Sequence, residues 1–595
     1  MKRVSLLASG IVCATFIVGI ADAKPTMQKI QRVGTTSMSK ASATHTVTDP
    51  LGNEFRQGPE EEKSFLKNVT GTVKPARVPS SHVPTPAGMS VTSVAGPGFN
   101  GLTHRDQRLA DGGNQFSSEP PDQCLAVGGG FVLEGVNSAF RVNSTAGDHL
   151  TLEPISMNAF FGLPVAIDRN ADPFVYGPFT SDPKCLYDAS SGHWFITMLV
   201  IDTDPSTGDF LPTASVRIAV STTIDPTGTY NLFKLDTTNA TGTPEHPGCP
   251  CFGDQPLIGA DANGFYITTN EFPIFAPGFN GAQIYAMSKS MLIANSPPLA
   301  VMFSGPPLAE GISYSVQPAM VPPNGAFESA KRGTQYFLSA LEFFGGLDNR
   351  IAVWAMTNTK SLSDAVPDVA LHSAVLDSQV YGAPPAAQQK DGPLPLARLI
   401  ESGVFGKTGK QHLPLIESND DRMQQTVFAS GRLWSSLTTV IKTANGPVRS
   451  GAAWFSVTPS WSAGQLGGTV SAQGIVSVNN RSILFPAIGV NNDGFAVMGF
   501  TLVGTDMFPS AAYAVLGTGG VNVVAAGVAP DDGLTGYPIF TGANTGRWGD
   551  YSAAATDEDG NIWFATEYIP AGPRTALANW GTFIAKVAPV VAPSP

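Results

Sequence analysis

The sequence predicts an all-β protein, a seven-bladed β-propeller whose ring is closed by an N-terminal strand. Three observations carry this expectation. Four times an aspartate is followed ten residues later by a glycine and then a run rich in aromatic and β-branched residues: Asp182 with Gly192, Asp254 with Gly264, Asp421 with Gly431, and Asp550 with Gly560. Weaker copies opening at Asp122, Gln317 and Leu484 bring the number of units to seven, at intervals of roughly 55–105 residues, a period suited to a repeat of several strands. Units one to six each offer four strand-like runs, and 63 glycines with 48 prolines suit a chain made of many turns.

In chain order, residues 1–23 read as a secretory signal: Lys2-Arg3, an apolar stretch from Leu6 to Ile20, and the small-residue site Ala21-Asp22-Ala23. That stretch is too short and wrongly flanked for a membrane span, and Val12 ahead of Cys13 argues against a lipid anchor. Residues 24–87 are polar, rich in Ser, Thr, Pro and Lys, and are expected to be an extended or disordered leader. The propeller is assigned to 88–588 and a Pro-rich tail to 589–595. Unit one runs from Asp122 to about Ser156, with strands near Ala139-Phe-Arg-Val and Leu150-Thr-Leu. Unit two adds Ser215 to Ser221 and Asn231 to Leu235, and unit three adds Gln283 to Met287 and Leu299 to Phe303. Unit four reaches Val369-Ala-Leu-His, and a Pro- and Gln-rich connection from Ala383 to Pro395 leads to unit five. Unit five includes Ala452 to Val457, and unit six includes Ala511 to Val515 and Val521 to Val524. Unit seven has a hairpin ending at Tyr568 and then one strand, Gly581 to Val587. An open edge there would invite pairing with other chains, so Ser90 to Val94 is expected to supply its outer strand. Within the hairpin, Asp559-Gly560 reads as a two-residue turn with both residues at positive φ.

Composition narrows the partners. Apolar residues make up 42% of the chain and charged ones 14%, enough for a large core. The net charge of −12 opposes binding to nucleic acid or to an anionic membrane surface. The chain is read as a monomer. Four cysteines remain outside the signal, Cys124, Cys185, Cys249 and Cys251, an even count that suggests disulfides in an oxidising compartment, with three pairings open. A Cys₄ zinc site would need paired CxxC knuckles, which the spacings do not provide.

The residues opening the first strands, Asp122, Asp182, Asp254, Gln317, Asp421 and Asp550, are expected to ring one mouth of the central channel. Such a ring can hold a hard cation such as Ca²⁺ through oxygen ligands, provide paired carboxylates for glycoside hydrolysis, or brace the loops by accepting backbone hydrogen bonds. Departures from the repeat are the sharper catalytic candidates: Glu271 and Glu567, each seven residues after its turn glycine, with Arg422 and Arg547 as carboxylate clamps. Trp548, Tyr551 and Tyr187 are candidates to stack on sugar faces, with packing between blades as the plain alternative. His193 and His246 stand alone in the sequence, with no Ser/His/Asp constellation, HExxH or GxxxxGK[ST] motif in view.

Several stretches resemble a group of secreted bacterial β-propeller proteins that are sialidase-like in fold. They are Pro120-Pro-Asp-Gln-Cys-Leu-Ala-Val-Gly, Ser181-Asp-Pro-Lys-Cys-Leu-Tyr-Asp with Gly192-His-Trp, Thr268-Thr-Asn-Glu-Phe272, Arg547-Trp-Gly-Asp-Tyr-Ser and Asn579-Trp-Gly-Thr-Phe-Ile. The resemblance implies the propeller fold and export across roughly residues 95–590. The full Ser-x-Asp-x-Gly-x-Thr-Trp box of sialidases is absent, so sialidase activity is not implied. The reading is a secreted propeller, extracellular or periplasmic, that presents its channel mouth to an extracellular ligand, a glycan in the first place. A glycoside hydrolase or polysaccharide lyase and a structural surface protein are the competing classes.

Overall fold

Strands here are buried on both faces rather than on one: all ten residues of Cys251–Ala260 and all ten of Gly264–Pro273 are buried. A sheet built of such strands needs cover above and below, and neighbouring sheets supply it. The computed structural model describes residues 25–41, 78, 82–94, 96–240, 246–306, 308–341, 345–405, 415–442, 446–541 and 545–589. The expected signal peptide lies outside these residues, as does almost all of the expected tail.

The chain is mostly β, and its repeating element is a four-stranded antiparallel meander. Unit one comprises Cys124–Gly128, Phe131–Val136, Ala139–Ser144 and Ile155–Ser156. Its fourth strand lies beyond the expected Leu150-Thr-Leu, where Leu152 is 88% exposed. Unit two runs from Phe179 to Asp236, unit three from Cys251 to Ser304, unit four from Gln317 to Gly382, and unit five from Thr426 to Val476. Units four and five share one sheet because their first strands pair in parallel, Ala319 opposite Thr426. Unit six covers Arg481 to Ala525 and unit seven Ala553 to Val587.

Apolar seams join each unit to the next. Phe140 and Leu133 of unit one pack with Trp194 and Ile196 of unit two. Phe195 stacks on Phe265 across units two and three, with centroids 4.8 Å apart. Tyr266 meets Phe337, and Tyr336 meets Phe428, carrying the contact through units four and five. Ala452 joins Ile483 and Met498, and Val497 joins Phe564. The last seam returns to the start, with Trp563 and Ala565 of unit seven against Val127 and Val132 of unit one. Each fully buried aromatic or branched side chain in these seams contributes on the order of 1.5–3 kcal/mol.

Two expectations about the N-terminal region are corrected. Thr26–Lys29 pairs with Leu299–Ser304 as a fifth strand of unit three, and Gln31–Ser37 pairs with Thr229–Asp236 as a fifth strand of unit two. This part of the expected leader is therefore ordered: its backbone groups complete two outer edges, and Ile30, 2% exposed, enters the seam between them. Ser90–Ser93 does not close unit seven. It pairs in parallel with Gly520–Ala525 of unit six, and Gly98–Thr103 pairs with Gly581–Val587 of unit seven instead. The closing strand was misplaced by a few residues because Gly98-Phe-Asn-Gly-Leu-Thr lacks the β-branched alternation that marks Ser90 to Val94.

The hairpin of unit seven also forms by a different turn. Gly560 alone has positive φ, and the Asp557 carboxylate accepts from the backbone N–H groups of Asp559 and Asn561 and from the Trp563 indole N–H. Asp261 and Asn491 play the same part in units three and six. Of the cysteines, Cys249 and Cys251 form a disulfide, while Cys124 and Cys185 are free, buried thiols in the seam between units one and two. There they pack as small apolar groups.

Candidate functional site

The expected aspartate ring resolves into a trio. Asp122 and Asp182 have positive φ, 47° and 56°, which turns each carboxylate away from its own strand toward a neighbouring unit. Asp122 Oδ1 accepts the Asp550 backbone N–H at 2.5 Å, joining unit one to unit seven. Asp182 Oδ2 accepts the Gln255 backbone N–H at 3.1 Å, joining unit two to unit three. Asn137 completes the brace: its amide N–H₂ donates to Asp122 Oδ2 at 2.9 Å, and its oxygen accepts the Asp182 N–H at 2.9 Å. One carboxylate oxygen from each of Asp122, Asp182 and Asp550 lies within 4.8 Å of the others. Three oxygens at that separation fit around a single Ca²⁺, whose ligands stand at about 2.3–2.6 Å.

Burial and mutual repulsion outweigh the nearby positive charge of Arg547 and Lys184. Burial, then Asp550, then Asp182 push the Asp122 carboxyl up to about 8, against the pull of Arg547 and the Asn137 hydrogen bond. Glu567 lies close by. Its Oε2 and Asp122 Oδ1 are each 3.8 Å from the point a Cβ on Gly549 would occupy. Glu567 is 3% exposed, and its Oε2 has no hydrogen-bond partner among the described residues. Burial first, then Asp531, Glu119 and Asp122, hold its carboxyl well above the usual range.

Beside the trio is a half-buried polar patch. Asn419 donates to Asp550 Oδ1 at 2.7 Å. Arg422 grips Asp420 with two N–H groups, both at 2.7 Å, and donates to Gln255 Oε1 at 2.7 Å. The Glu417 carboxyl is raised by burial and by Asp550, with Arg547 pulling it down.

The structure sorts the remaining candidates. Asp254 and Asp421 are buried but do not join the trio. Gln317 donates to the Met423 carbonyl, tying unit four to unit five. Trp548 and Tyr551, 1% and 2% exposed, are not sugar platforms. Trp548 donates to Thr501 Oγ1, Tyr551 donates to the Pro183 carbonyl, and Lys184 covers the Tyr551 ring. Tyr187 packs on Trp194, with centroids 4.7 Å apart. Arg422 is committed to Asp420, and Arg547 Nη1 reaches the Glu119 carbonyl at 3.4 Å, so neither stands open as a clamp. Glu271 and Glu567 occupy matching slots in the repeat but different surroundings: Glu271 bonds to His246, Asn280 and Asn239. Sequence reasoning missed Asn137, Glu119 and Glu417. Glu417 and Asp420 sit in the polar run ahead of Asp421, a visible signal, whereas Asn137 carries none.

No family model matches this chain, and no curated protein matches it. Solved structures give distant likenesses. An exo-β-1,3-galactanase from Clostridium thermocellum is 10% identical over 83% of this chain and 97% of its own, with a TM-score of 0.26. Semaphorin 2a from Drosophila is 8% identical over 85% of this chain and 76% of its own, with a TM-score of 0.32. The phage phi92 endosialidase is 8% identical over 68% of this chain and 67% of its own, with a TM-score of 0.29.

Proposed function

We propose that this chain is an exported seven-bladed β-propeller that binds an extracellular, hydroxyl-rich ligand of the glycan class at one mouth of its ring, with a Ca²⁺ ion held by Asp122, Asp182 and Asp550. The single observation that carries this reading is the convergence of three carboxylates from units one, two and seven within 4.8 Å. Buried like charges repel unless protonated or neutralised, and the unpartnered oxygen of Glu567 beside them adds a fourth acid. The half-buried carboxylates of Glu417 and Asp550 offer acceptors to vicinal hydroxyls. Hydrolysis by the same acids is the second reading, favoured by Asp122 at about 8. It is the weaker one, because at 2% exposure that carboxyl cannot meet a glycosidic oxygen without an opening of the mouth.

The test is a thermal melt of the purified protein with EDTA and then with excess Ca²⁺, beside an Asp182→Asn variant. A cation bound only by the folded state at a hundred times its Kd stabilises by about 2.7 kcal/mol. The expected result is a fall with EDTA, recovery with Ca²⁺, and no response in the variant. A wild-type melt indifferent to both would return the aspartates to the role of inter-unit braces. A panel of soluble polysaccharides, screened with Asp550→Asn as the control, then tests the ligand class.

A further inference from the structure

His246, isolated in the sequence, meets two partners in unit three. Glu271 lies on Gly264–Pro273, Ser304 ends Leu299–Ser304, and His246 sits on the segment entering the unit. Glu271 is 1% exposed. Its Oε1 faces His246 Nδ1 at 2.7 Å and accepts from Asn280 Nδ2 at 2.8 Å, and its Oε2 accepts from Asn239. A carboxylate held by that many donors keeps one orientation and can only accept. In the neutral imidazole that donates from Nδ1 to Glu271, Nε2 is an acceptor. That nitrogen lies 3.2 Å from Ser304 Oγ, within reach of the hydroxyl proton.

The hydroxyl sits in a half-buried setting. His246 is 7% exposed, Ser304 and Cys249 are half-buried, and Pro247 and Gly248 are exposed. The Cys249–Cys251 disulfide fixes the backbone just after His246. It also removes Cys249 as a thiolate ligand, so the His246, Cys249 and Glu271 grouping is not a zinc set. Gly305, directly after Ser304, has φ +46°, and a Cβ there would come 2.9 Å from the Asn280 carbonyl. The turn that carries the hydroxyl is thus tight.

We propose that Ser304, His246 and Glu271 form a nucleophile–base–carboxylate triad that hydrolyses short-chain carboxylic esters. Ser304 Oγ attacks the ester carbonyl carbon as its proton passes to His246 Nε2, and Glu271 stabilises the imidazolium. The tetrahedral adduct collapses with cleavage of the acyl–oxygen bond, and His246 protonates the departing alkoxide. Water, deprotonated by His246, attacks the acyl-serine; the acid leaves and Ser304 recovers its proton. No oxidant or cofactor enters. This site shares no residue with the mouth trio, so either can fail alone.

The experiment uses the full chain with p-nitrophenyl acetate and with a fluorophosphonate probe. With the probe, Ser304 Oγ forms a bond to phosphorus, fluoride leaves, and the proton goes to His246. The expected result is a probe-mass shift on the peptide containing Ser304. It should be absent in Ser304→Ala, whose melt matches the wild type and whose ester turnover falls about 10²–10³-fold. Glu271→Gln should label more slowly. Absence of label at Ser304 in the folded wild type, or full turnover by Ser304→Ala, would overturn the triad and leave the three residues as an anchor for the loop. Labelling of Glu271→Gln at the wild-type rate would also overturn it.

Discussion

Glu134 shows how one side chain ties the closing strand to the ring. It is fully buried on Phe131–Val136, and its Oε2 accepts the Leu102 N–H at 2.8 Å. Thr582 contacts both Glu134 Oε1 and the Leu102 carbonyl, yet its hydroxyl has only one proton to give. A protonated Glu134 resolves this by donating to Thr582 while Thr582 donates to Leu102. Burial accordingly raises the Glu134 carboxyl to about 7, against the pull of the hydrogen bonds from Thr582 and Leu102. Because the folded value lies above the unfolded one, this stabilisation is complete below the ordinary glutamate range and is lost as pH rises through about 7. The loss amounts to at most about 3 kcal/mol. A Glu134→Gln variant, which keeps a donor and an acceptor in place, should match the wild type at pH 5 and gain on it by pH 8 in denaturant melts. Parallel stability curves would show that Glu134 is already ionised at the lower pH.

At the scale of elements, the added outer strands do what composition does not announce. Without Thr26–Lys29 and Gln31–Ser37, units two and three would each end in an unpaired edge, a template for aggregation. Removing residues 26–37 is expected to lower the melting temperature by about 5 °C or more and to promote association, read by calorimetry and light scattering. An unchanged melt would mean that these strands only rest on the sheets. Their polar residues misled the sequence reading because a fifth, outermost strand faces water along much of its length: of the seven residues of Gln31–Ser37 only Thr36 is buried. Solvation, not disorder, explains the polarity.

For the whole molecule, closure depends on a close approach at Gly101. A Cβ there would run into both Glu134 and Thr582. Gly101→Val should therefore cost about 1–3 kcal/mol by overpacking and shift the single unfolding transition downward. A normal melt would mean that the seam between units seven and one can open without loss. The buried acids add a charge problem shared by the ring, since Asp122, Glu134, Asp531 and Glu567 are all held above the ordinary carboxylate range.

Sequence alone determined the repeating hairpins. Asp-x₉-Gly spacing and local strand propensity act within about a dozen residues, so Asp182, Asp254, Asp421 and Asp550 mark the openings of units the structure contains. The need for an N-terminal strand beside Gly581–Val587 was legible for a different reason, the open edge that strand would otherwise leave. Which strand closes the ring was decided by tertiary contacts, Glu134 and Thr582 on Gly98–Thr103, that no local pattern records. The sites follow the same division. Asp122, Asp182 and Asp550 were visible as first-strand acids, but only packing selected these three. Ser304 reaches His246 across 58 residues because the meander folds one outer strand back beside the entry loop. Backbone propensity is read from neighbours in the chain, whereas burial and juxtaposition are set by neighbours in space.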